Sequence, residues 1–214
     1  TKHLYLFGKG KIYSYFTGVI DVEKNSIPEI EFDHLHTYIT SGYDSGNKGL
    51  FNNFSLVTPI NKKNIRFSLQ NRRTGDQMTP IGVLKNTSMN TTEGFFGLTS
   101  FHDRKRGTVS IEHVEMDYGI PGSPEGHISG VDMKMNKTTQ KLNYHQDIDF
   151  KGFKTFDLDQ KFIHYAHSEF ESDQKNPSVK LGQEILLFQS KMTGLKREIG
   201  AAIQYRLFTS GGFY

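Results

Sequence analysis

The sequence predicts an all-β protein whose strands form an antiparallel sheet of the transmembrane-barrel kind. Three observations carry that prediction. Between about residues 31 and 208, segments of roughly ten residues alternate apolar with polar side chains. The connectors between them are alternately short and long. The apolar supply is also thin: hydrophobic residues make up only 35% of the chain, which suits a wall that needs one apolar side chain in two rather than a closed core.

The elements follow in order. Residues 1–29 lack the rhythm, carrying Gly8-Lys9-Gly10, a short β-like run Gly18-Val19-Ile20-Asp21-Val22, and Pro28 at its end. The first long strand is expected at about 30–41, before the turn signal Gly42-Tyr43-Asp44-Ser45-Gly46-Asn47. A second runs over about 49–58 with Leu50, Phe54 and Leu56 on one face, and Asn61-Lys62-Lys63-Asn64 turns it back. The third, 65–72, alternates without interruption and opens a long polar loop over about 73–90.

The fourth strand, about 93–101, puts Phe96 and Leu98 on one face with Phe95 and Phe101 opposite. After the turn at 102–107, a fifth strand covers about 108–117 and leads into a loop rich in glycine and proline, 118–127. The sixth begins near Gly130, alternating Val131, Met133 and Met135 with Asp132, Lys134 and Asn136, and fades toward Tyr144. A seventh at about 154–167, an acidic loop at 169–177, and an eighth at about 178–192 follow. The turn Thr193-Gly194-Leu195-Lys196 feeds the ninth, where Ile199, Ala201, Ile203, Tyr205 and Leu207 share a face against Glu198, Gln204 and Arg206. The last residues, Thr209 to Tyr214, are glycine-rich and expected to be a loop.

Composition removes several function classes. The chain has no cysteine, which excludes disulfide frameworks, thiol catalysis and thiolate zinc sites. A net charge of +3, spread over 26 basic and 23 acidic residues without a basic block, gives no footing for nucleic-acid binding. Ile185-Leu186-Leu187-Phe188 is among the longest apolar runs, far short of the ~20 residues a membrane helix needs. Thr1 is not followed by a charged and then apolar leader, so the expectation is a removed signal or an excised piece.

The loop Asp117-Tyr118-Gly119-Ile120-Pro121-Gly122, reached after a strand, a turn and a strand, resembles a motif of TonB-dependent outer-membrane receptors. Upstream, Gly18-Val19-Ile20-Asp21-Val22 followed by Ile27-Pro28-Glu29 is similar to the stretch where the plug domain leaves for the barrel. Downstream, Glu125-Gly126-His127 and Gly130-Val131-Asp132-Met133-Lys134 resemble the following strand in receptors of the metal-uptake type. The resemblance implies a plug folded inside a barrel of about 22 strands. It therefore implies that this chain is a fragment, with residues 1–29 the end of the plug and 30–214 the first part, about nine strands, of the barrel. It further implies a bacterial outer-membrane location, an extracellular nutrient such as a metal chelate as ligand, and a TonB-type energy-coupling complex acting through the plug. Outer-membrane lipid would surround the wall. If so, the coding frame should continue on both sides.

No catalytic residue, metal site or cofactor is expected. Leu6-Phe7-Gly8-Lys9-Gly10-Lys11 lacks the spacing and the final Ser/Thr of a phosphate-binding loop, and no hydrolase or zinc-protease motif occurs. His34 and His36 are spaced as two metal ligands could be, but read as polar residues facing a lumen. His164 and His167 fall on opposite faces. Candidate ligand contacts are the loop residues Arg72 and Asp76, with Arg73 beside them, and Glu125 and His127. The run 102–106 reads as a solvated turn on the opposite rim. A soluble β-rich carbohydrate-binding or adhesive module is the alternative, with the aromatics as a sandwich core.

Overall fold

A computed structural model describes residues 4–7, 19–22, 28–123, 128–171 and 175–213. All regular structure among them is β, so no helix there is long and apolar enough to cross a membrane, which says nothing about strands. A two-stranded ribbon pairs β1 (Leu4–Phe7) with β2 (Val19–Val22). The main body is one antiparallel sheet. Its strands are β3 (His36–Asp44), β4 (Gly49–Pro59), β5 (Lys63–Thr74), β8 (Met89–His102), β9 (Lys105–Ile120), β10 (Val131–Phe150), β11 (Phe153–Glu171), β12 (Val179–Gly194) and β13 (Glu198–Phe213). A small hairpin, β6 (Gln77–Thr79) with β7 (Gly82–Leu84), stands in the connector between β5 and β8.

Each long strand pairs with the next in the order β13-β12-β11-β10-β9-β8-β5-β4-β3, a meander of nine. The sheet is not closed: β3 and β13 are its edges. Consecutive antiparallel pairing puts alternate connectors on opposite rims. Residues 60–62, 103–104, 151–152 and 195–197 make one rim, with two or three residues in each turn. Residues 45–48, 75–88, 121–130 and 172–178 make the other, with four to fourteen. The two-residue turn Lys151-Gly152 has both residues at positive φ (47° and 81°), matching the right-handed twist of the strands it joins.

Most strands are longer than the sequence pattern predicts, β10 toward the short-turn rim and β8, β11 and β13 toward the long-loop rim. β10 continues past the point where alternation fades because β9 hydrogen-bonds to it as far as Gln146 and β11 as far as Phe150. The terminal Gly-rich stretch is likewise strand and not loop up to Phe213. β12 supplies the ladder, and a register irregularity at Gly182/Gln183 absorbs the mismatch. At the other end the first long strand begins at His36, not near Ile30. Residues 30–32 are drawn off instead by the Asn64 side chain, whose amide donates to the Ile30 carbonyl (2.7 Å) and accepts from the Phe32 N–H (3.2 Å).

Candidate functional site: a two-faced wall and its loop rim

Register fixes which side chains share a face, since directly paired residues in a ladder point the same way. One row runs Leu56, Phe67, Phe96, Ile111, Gln140, Phe162, Leu186, Tyr205 across eight strands. The next row toward the short turns runs Thr58, Ile65, Leu98, Val109, Leu142, Gln160, Phe188, Ile203. These rows form a largely apolar band on one face, the outer face, interrupted by Thr58, Gln140 and Gln160. Many of its large side chains lie open, from 39% exposed at Phe188 to 70% at Ile39 on the β3 edge, while Leu56, Ile65, Leu98 and Phe162 are half-buried. Shallow apolar grooves, one of about 390 Å³ walled by Phe96, Ile111, Leu142 and Phe162, run between the rows.

The band crosses the strands obliquely. On β4 it is centred near Phe54, whose ladder row passes through Leu69, Gly94, His113 and Thr138 to His164 of β11. On β11 the apolar outer residues are Phe156, Leu158 and Phe162, which lie eight, six and two residues nearer the short turns than His164, about five on average. That shift, at ~3.4 Å per residue over five strand spacings of ~4.8 Å, corresponds to a slant of roughly 35°.

The opposite, inner face is crowded and mostly polar. The buried residues Asn64, Thr74, Thr99, Thr108 and Thr139 all lie on it, with Val57, Phe95, Val131 and Met133. Thr108 donates to Thr99 across the β8–β9 pair (3.2 Å), and the Arg66 guanidinium sits 5.7 Å over the Phe95 ring. On β10 and β11, His145 contacts Asp157 (2.6 Å) and Asp147 (3.4 Å), and Asn143 donates to Asp159. Near the short-turn rim this face also receives the incoming chain, for Arg106 of β9 donates to the Glu29 carbonyl (3.0 Å) while Asn64 of β5 holds residues 30 and 32.

Above the band the polarity inverts. The outer face carries Glu115, Asp117, Asn136 and Lys134, whereas Met116, Tyr118, Met133, Met135 and Tyr165 turn to the inner face. Tyr165, His167 and Glu169 form a chain there, with Tyr165 Oη 3.0 Å from His167 Nδ1 and His167 Nε2 3.1 Å from Glu169. Single-sequence reading misses this patch because the alternation changes phase within β9, β10 and β11. The phase break itself, between Met135 and Leu142, is the signal that marks it.

The long loops are tied together. Asn86, held at φ 59°, donates to the Ile120 carbonyl (2.9 Å) and the Val131 carbonyl (3.2 Å), docking the 75–88 connector on the ends of β9 and β10. Gly119, in the motif that carries the family resemblance, has a local physical reason: a Cβ there would sit 2.7 Å from the Asn86 backbone oxygen. Asp76 accepts from the N–H groups of Thr87 (2.9 Å) and Ser88 (3.2 Å), so one carboxylate oxygen closes the base of this loop. Arg72 is exposed at the end of β5 on the inner face, and its neighbour Arg73 is exposed on the outer one. Glu125 and His127 lie outside the described residues. Replacing Asn86 with alanine is expected to loosen the loop by about 1–2 kcal/mol. Amide exchange at residues 77–84 should then quicken roughly tenfold with the β8–β9 amides unchanged.

At the short-turn rim a bend at Asp33-His34 brings three metal-ligating side chains, Asp33, His34 and His36, together at the start of β3. His34 Nδ1 lies 2.5 Å from Asp33 Oδ1, and the His34 and His36 ring centroids are 4.2 Å apart. The two histidines thus converge through a bend and not through strand periodicity. The Asp33 carboxyl is held below its usual range by a hydrogen bond from its own backbone and then by the neighbouring His34 charge. His164 and His167 do face opposite ways, His164 pairing with Glu184 at 3.6 Å.

No family model matches the sequence, and no curated protein matches it.

Proposed function

We infer that this sheet is part of the wall of an outer-membrane β-barrel, in a receptor of the TonB-dependent type that takes up a scarce nutrient. The observation that carries the membrane part is the largely apolar band, which runs across eight strands on one open face and is backed by a polar one. A soluble sandwich would cover such a band with a second layer, and among the described residues none covers it. The slant of roughly 35° agrees with the 35–45° strand tilt of such barrels. Short turns on one rim and long loops on the other agree with periplasmic and extracellular ends.

The TonB-dependent part rests on the sequence resemblance, with support from the path of the connector. Residues 29–32 reach the sheet on its polar inner face at the short-turn rim, as a chain coming from a plug inside the barrel would. On this reading no bond is made or broken by the protein; binding at the long-loop end is relayed through the plug. The unpaired edges β3 and β13 would meet further strands of the same barrel.

Topology is testable because the chain has no cysteine of its own. Single cysteines at Ile81, fully exposed in the long 75–88 loop, and Ile128 should react with an impermeant maleimide on intact cells. Cysteines at Asn61 and Asp103, in short turns, should react only after the envelope is opened. Equal labelling at both rims in intact cells would refute the orientation.

A further inference from the structure

We propose that Asp33, His34 and His36 form a binding site for one borderline divalent cation of the zinc class, with water at the remaining position. One carboxylate oxygen and two imidazole nitrogens lie within 4.8 Å of one another. A tetrahedral zinc site with bonds of ~2.0–2.2 Å needs donors about 3.3–3.5 Å apart. The present spacing, from 2.5 Å between His34 Nδ1 and Asp33 Oδ1 up to that limit, brackets this requirement, so side-chain rotation suffices. Two nitrogen donors select zinc, copper or nickel over magnesium and calcium, which take oxygen ligands.

The backbone on both flanks is already fixed. Asn64 pins Ile30 and Phe32 on one side, and the β3–β4 ladder starts at His36, paired with Val57, on the other. Phe32 packs edge-on to the His36 ring at 4.6 Å, limiting its rotation. Elsewhere among the described residues, carboxylates meet one histidine at a time, as Asp103 meets His102 at 3.7 Å, Glu115 meets His113 at 3.3 Å, and Asp157 and Asp147 both meet His145. Only here do two imidazoles and a carboxylate converge among the described residues. A bound cation would clamp the bend that carries the chain onto the first edge strand, whether or not the sheet lies in a membrane.

The test is titration of the purified chain with Zn²⁺ against a chromophoric competitor at neutral pH. One equivalent is expected, its affinity falling at least tenfold in His34→Ala, His36→Ala and Asp33→Asn and staying unchanged in His102→Ala. Full affinity in the His34→Ala/His36→Ala double variant, or an equal loss in His102→Ala, would overturn the site. A second readout needs no variant: Zn²⁺ should slow diethylpyrocarbonate modification of His34 and His36, mapped by mass spectrometry, while leaving His102 and His113 unaffected. Equal modification with and without Zn²⁺ would overturn it as well.

Discussion

Arginine in place of Leu142 is expected to abolish membrane assembly, whereas arginine at the adjacent Asn143 is expected to be tolerated. Leu142 sits in the middle of the apolar band, between Val109 and Gln160, and lines an outer groove. A guanidinium at the bilayer midplane of a barrel's lipid face costs ~2–4 kcal/mol. That is a large part of a marginal folding free energy. Asn143 points to the inner face beside Asp159, so an arginine there gains a carboxylate partner. The readout is the fraction of protein recovered from membranes in a folded, protease-resistant form. Similar recovery of both variants would place the band outside lipid.

The second large effect is expected at Asn64. Its side chain is fully buried and satisfies one carbonyl and one N–H of the connector at once. Leucine there keeps the volume and removes both bonds to part-buried backbone groups, at about 0.5–1.5 kcal/mol each. The connector should detach while the sheet persists, because every strand keeps its ladder. Hydrogen exchange at Phe32 is therefore expected to rise at least tenfold, with the β8–β9 amides unmoved. Unchanged protection at Phe32 would mean that Asn64 does not anchor this segment.

The sheet was legible in the sequence because side chains alternate with period two along most strands. Residues such as Ile65, Phe67 and Leu69, or Ile199, Ala201 and Ile203, declare their common face by alternation alone. Strand ends were less legible. Polar residues such as Asn143, His145 and Gln146 join β10 because neighbours on both sides offer hydrogen bonds, a property of the ladder that no local pattern records. The opposite error occurred at Ile30, where the strand-like pattern runs on but Asn64, distant in sequence, captures the backbone. Of the loop candidates, Asp76 is bound to its own loop and Arg72 stands exposed, which spacing could not distinguish. The Asp33 contribution beside His34 and His36 was hidden because it depends on a bend and not on strand periodicity.

The central claim is that the outer face of this sheet meets lipid. Spin labels attached to single cysteines at positions 65 to 70 of β5, in the membrane-reconstituted protein, test it most directly. Ile65, Phe67 and Leu69 should be reached by oxygen and shielded from a water-soluble nickel chelate, with Arg66, Ser68 and Gln70 showing the reverse or no lipid signature. Equal access of the nickel chelate to all six positions, with no period of two, would contradict it.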